Sequence, residues 1–66
     1  MRVKKEKMAF LMAEKGYKFA ELMELTGLSR GTLSGMYNGN TCRPDNIHKV
    51  AQVLGVSPED LLDKDN

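Results

Sequence analysis

The chain has 66 residues, 41% of them hydrophobic, with ten Lys and Arg against nine Asp and Glu and a formal net charge of +1. A chain of this length supports one core and buries only about 60% of its unfolded surface, which leaves no room in these residues for a multidomain enzyme. With one cysteine, Cys42, and one histidine, His48, neither an intrachain disulfide nor a four-ligand structural zinc site is available, so helix packing or association must supply stability.

The charge is unevenly distributed. Residues 1–43 carry eight basic and four acidic side chains, a net +4, and residues 44–66 carry two and five, a net −3. That polarity points the N-terminal part toward an anionic partner, with ordinary solvated surface as the alternative. No apolar run reaches the roughly 18 residues of a membrane span, and the N-terminus lacks a signal-type hydrophobic stretch. A lone thiol suits a reducing compartment, and a cytoplasmic location is expected.

In chain order the periodicity predicts short helices and no strands. Met8, Leu11 and Met12 fall on one face of a helix over 4–15, which Gly16 ends. Phe19, Leu22 and Met23 repeat that spacing in a second helix, about 19–25, closed by Thr26-Gly27. Ser29 is placed to cap a third helix, Arg30 to Tyr37, with Leu33, Met36 and Tyr37 facing inward, and Asn38-Gly39-Asn40-Thr41 follows as a loop. A fourth helix opens at Pro44 and Asp45, carries Ile47, Val50, Ala51 and Leu54 at i, i+3, i+4 and i+7, and closes at Gly55. Ser57-Pro58-Glu59-Asp60 predicts the start of a fifth helix that sends Leu61 and Leu62 to the core. The expected organisation is a single all-α domain over 1–62 with a short frayed tail over 63–66.

The second and third helices form the informative pair. Two short helices joined by a tight turn containing glycine have the shape of a helix-turn-helix, or of an ordinary helical hairpin in a small bundle. In the first case Gly27 takes positive φ while Leu22, Leu28, Leu33 and Met36 fix the crossing, leaving a free face of Arg30, Gly31, Ser34, Gly35 and Asn38.

The run Leu22-Met23-Glu24-Leu25-Thr26-Gly27-Leu28-Ser29-Arg30-Gly31-Thr32-Leu33, then Asn38-Gly39, Arg43-Pro44 and Leu54-Gly55-Val56-Ser57-Pro58-Glu59-Asp60-Leu61-Leu62, resembles the Cro and lambda-type repressor helix-turn-helix family. The resemblance covers nearly the whole chain. It implies a compact five-helix DNA-binding domain that reads a double-stranded operator as a transcriptional regulator of bacterial or phage type, usually as a homodimer. By the same resemblance Ser29, Arg30, Gly31 and Thr32 open the recognition helix, about 29–37, with Ser34 and Gly35 one turn on. Lys18 and Phe19 fall where the family approaches phosphate, and Asn38, Asn40, Thr41 and Arg43 form the loop that grips the backbone. Among these, Arg30 is the side chain able to contact guanine bidentately.

Three positions depart from the family pattern. Phe19 stands where a polar residue, often glutamine, is common; Met23 stands where a small alanine is usual at the helix crossing. Met12 and Tyr37 replace an arginine and glutamate that the family often pairs, and Met12 is expected to pack on the Tyr37 ring. Leu61, Leu62 and Val56 are expected to serve a dimer interface or the core. A protein-interaction module, such as an antitoxin-like partner subunit on the same scaffold, is the competing reading. An enzyme is not expected, since no nucleophile, phosphate-cradling loop or ligand cluster stands at motif spacing, and neither a cofactor nor a small-molecule effector site is expected.

Overall fold

A computed structural model describes residues 1–63. Four α-helices occur in the order α1 (Lys5–Lys15), α2 (Phe19–Thr26), α3 (Arg30–Tyr37) and α4 (Pro44–Leu54), followed by a single 3-10 turn at Pro58–Asp60. The fifth α-helix expected after Ser57 is therefore this one turn. Its cap is built as expected, with the Ser57 N–H donating to Asp60 Oδ2 at 3.1 Å. It ends early because Leu61 is drawn into the core and Leu62 into a bridge with Val3, which takes the backbone out of helical register.

Each α-helix keeps the face that its spacing predicts. Met8 is buried from α1, Leu22 from α2, Leu33 and Met36 from α3, and Ile47, Val50, Ala51 and Leu54 from α4. The helix α4 is the hub of the packing, touching α1, α2 and the 3-10 turn, while α3 packs on α1 and α2. Leu28 and Met23 lie half-buried against this core, so the bulk of Met23 is accommodated at the α2 crossing.

The first four residues add a feature with no counterpart in the helical periodicity. Val3 is buried and forms an antiparallel bridge with Leu62, the Lys4 N–H donates to the Leu61 carbonyl at 2.8 Å, and the Asp63 N–H donates to the Arg2 carbonyl at 2.9 Å. The Cys42 N–H donates to the Met1 carbonyl at 2.6 Å. The N-terminal segment is thus clasped between the loop after α3 and the segment after the 3-10 turn. Of the tail expected to fray, Asp63 is held by this bond, and 64–66 lie outside the described residues. Leu61 is fully buried within one copy of the chain, which removes it from the surface available to a second copy; Val56 and Leu62 remain partly exposed.

Candidate nucleic-acid interface

The turn between α2 and α3 is built by three residues acting together. The Thr26 hydroxyl donates to the Leu22 carbonyl at 2.5 Å and accepts from the Leu28 N–H at 3.2 Å, closing the last turn of α2 and opening the next segment. Gly27 takes φ 76° and ψ 8°, and its N–H bonds to the Met23 carbonyl at 2.9 Å. A side chain is disfavoured in that left-handed conformation. Ser29 then caps α3, its Oγ accepting from the Thr32 N–H at 3.1 Å while its own O–H donates to Thr32 Oγ1 at 2.9 Å. The first turn of the α3 that these bonds open has Arg30 and Gly31 exposed and Thr32 half-buried.

None of the residues expected to contact DNA is buried. Gly31, Thr32 and Gly35 on α3 meet Asn40 and Thr41 of the following loop around one concavity of about 230 Å³. Asn46, in the first turn of α4, lines the same concavity and escaped the sequence reading, because an Asn one turn into a helix carries no pattern of its own. No acid lines it. Its amide and hydroxyl groups supply neutral donors and acceptors of the kind that meet phosphate oxygens and base edges.

The two glycines differ physically. A Cβ at Gly35 would come within 3.3 Å of Asn40 Nδ2, so this glycine lets the loop side chain lie against α3. A Cβ at Gly31 would meet only Ser29 Oγ, at 4.0 Å, so nothing inside the fold requires its absence. Asn38 ties the end of α3 to its own preceding turn, Nδ2 donating to Ser34 Oγ at 3.4 Å.

Arg43 precedes α4 on the exposed rim, with Nε 3.6 Å from Asp45 Oδ1 and both side chains largely in solvent. Such a pair is worth only about 0–1 kcal/mol, so Arg43 remains available to an anion. Cys42 beside it is half-buried; burial pushes its thiol above the ordinary range, opposed by the nearby N-terminal ammonium. The thiol donates to the Asn40 carbonyl at 3.1 Å.

Lys18 and Phe19 stand apart from that concavity, on a second one of about 420 Å³ bordered also by Met12, Tyr17 and Tyr37. The Lys18 N–H donates to Glu21 Oε1 at 2.6 Å, so a carboxylate of α2 itself takes this backbone donor at the start of the helix. Met12 and Tyr37 border the same concavity, but the Tyr37 ring has more specific neighbours. Phe19 meets it at 5.5 Å between centroids and 82°, and Lys5 Nζ lies 5.0 Å from its centroid. Arg30 Cζ in turn lies 6.0 Å from the Phe19 centroid. Beside the expected Met12–Tyr37 pair, the Tyr37 ring thus stands in a line of four side chains, Lys5, Tyr37, Phe19 and Arg30, that helical spacing within single elements could not reveal.

No helix among the described residues is long and apolar enough to cross a membrane, and no group of three His, Cys, Asp or Glu among them could hold a metal. No curated protein matches the chain. Two solved structures are similar to it over its whole length at 26% identity: a mutant of hydroxyethylphosphonate dioxygenase, with TM-score 0.84, and Phpd with cadmium complexed with hydroethylphosphonate, with TM-score 0.82. The chain spans 14% of the length of each of those chains. The family model described as the Cro/C1-type HTH DNA-binding domain matches residues 7–65. That match runs from the first helix past the last described residue, over a backbone organised by the Gly27 turn, and the chain belongs to the family of Cro/C1-type helix-turn-helix DNA-binding domains.

Proposed function

We propose that this domain binds double-stranded DNA sequence-specifically and serves transcriptional regulation, with α3 in the major groove and the loop from Asn38 to Arg43 on the adjoining backbone. The observation that carries the reading is the first turn of α3, opened by the Thr26-Gly27 turn and the Ser29 cap, with Arg30 exposed on it and beside it a concavity that carries amide and hydroxyl groups and no acid among the described residues. Arg30 is the base reader, Arg43 and Lys18 are phosphate contacts, and Ser29, Thr32, Ser34, Asn40 and Thr41 supply hydrogen bonds. Gly31 and Gly35 allow α3 to come close to the groove. Two copies act on a pseudo-palindromic site with recognition helices about 34 Å apart. In this reading the domain is a binding module with no catalytic group of its own, working in the cytoplasm.

Selection from a random duplex pool, followed by titration of the selected duplex at two salt concentrations, tests the reading. A palindrome should be enriched and affinity should fall steeply with salt. Arg30→Ala should cost about 1–3 kcal/mol on the selected duplex and relax the preference at one base pair. Arg43→Ala should weaken binding to all duplexes alike and lower the salt slope by about one. The second reading is that the scaffold docks on protein, the same fold standing within dioxygenase chains of which this chain spans 14%; weak binding to every duplex, with no enrichment, would overturn the DNA reading and call for a search for a protein partner.

A further inference from the structure

We infer that Phe19 is a positioning residue for Arg30: its ring holds the guanidinium at the start of α3 in the direction from which it reads a base. This rests on the proposed role of Arg30. Among the described residues no hydrogen bond or ion pair restrains Arg30, and the Phe19 ring, 6.0 Å from Cζ, is the group that faces it. The ring is itself fixed, half-buried against the core and set at 82° to Tyr37. An arginine free in solvent loses the freedom of a long side chain when it docks, whereas one already resting on a fixed aromatic face loses less. That saving is realised only at the base lying in the stacked direction. It therefore adds to discrimination between sequences and leaves the phosphate-driven affinity for arbitrary duplex untouched. The alternative is that Phe19 only fills space between α1, α2 and α3, in which case a leucine would serve as well for recognition.

The test is the ratio of Kd values for the selected duplex and for the same duplex with the preferred guanine pair replaced, measured on wild type, Phe19→Leu, Phe19→Tyr, Arg30→Ala and the Phe19→Leu, Arg30→Ala double variant. A cation–π contact of an exposed pair corresponds to a two- to fivefold effect, so Phe19→Leu should lower the ratio by about that factor. Phe19→Tyr, which keeps the ring, should restore it, and Phe19→Leu should change nothing further once Arg30 is alanine. In the free protein, the Arg30 δ-methylene protons should show an upfield ring-current shift in wild type that Phe19→Leu removes. A wild-type ratio in Phe19→Leu, an equal drop with and without Arg30, or an unshifted Arg30 in the wild-type spectrum each overturn the inference, and the last requires no variant to fold. Arg30→Ala lowering the ratio while Phe19→Leu does not would sink this inference alone. An unchanged ratio in Arg30→Ala would sink the role of Arg30 and this inference with it.

Discussion

At Cys42 a single residue joins the N-terminal segment to the loop proposed to grip DNA. Its backbone N–H holds the Met1 carbonyl and its thiol donates to the Asn40 carbonyl, while burial raises its pKa. The folded state therefore favours the neutral thiol. The stabilisation from this group is complete below the ordinary thiol pKa and is lost as pH rises through the raised value. Because the thiolate is the nucleophile, alkylation of Cys42 by iodoacetamide at pH 7.5 should run slower in the folded chain than in the chain unfolded in urea, and mass spectrometry over a time course measures both rates. Equal rates would show that the loop does not shield the sulfur. For Arg43, next along the chain, the sequence resemblance implies the phosphate contact proposed above, while its ion-pair partner Asp45 was visible there only as a helix-opening acid.

At the scale of the helix, α3 combines a turn that requires glycine with a first turn that does not. Gly27 has φ 76° and open space where a Cβ would stand, so alanine there meets a backbone penalty alone. Gly27→Ala should lower stability by about 1–2 kcal/mol, a fall in Tm of about 4–8 °C per kcal/mol in a domain of this size. Gly31 has ordinary helical geometry and a nearly empty Cβ direction, and alanine there should raise stability by up to about 1 kcal/mol. Thermal unfolding of the two variants should move in opposite directions. If the close approach of α3 proposed above is right, Gly31→Ala should also bind the selected duplex more weakly than wild type despite its higher Tm. The helices α2, α3 and α4 were legible because local signals mark them: left-handed Gly27 and Gly55 close α2 and α4, the Ser29 cap opens α3, Pro44 opens α4, and apolar spacing runs between these marks. The fifth helix was not, since Ser57-Pro58 signals a start equally well for one 3-10 turn and for a longer helix, and the stop is imposed by the bridge from Leu62 to Val3.

Over its described residues the molecule measures 29 × 22 × 17 Å, shorter than the roughly 34 Å of one DNA turn, so the palindrome proposed above would call for two copies. Its ends are closed on each other by Val3, which is 2% exposed. Val3→Ala removes two buried methyl groups and should cost about 1–3 kcal/mol, read as a lower urea midpoint at unchanged m-value.

The amino-acid sequence by itself determined the all-helical class, the four α-helices, the turn at Gly27 and the exposed polar face of α3. These follow from contacts between residues no more than about four apart, where spacing, capping and backbone preference act without knowledge of the rest of the chain. Tertiary structure alone decided the clasp of Arg2 to Lys4 against residues 61–63 and of Met1 on Cys42, the length of the last helical turn and the line from Lys5 through Tyr37 and Phe19 to Arg30. Each of those joins elements distant in sequence, and their geometry is fixed by how helices pack around α4, which no local periodicity encodes.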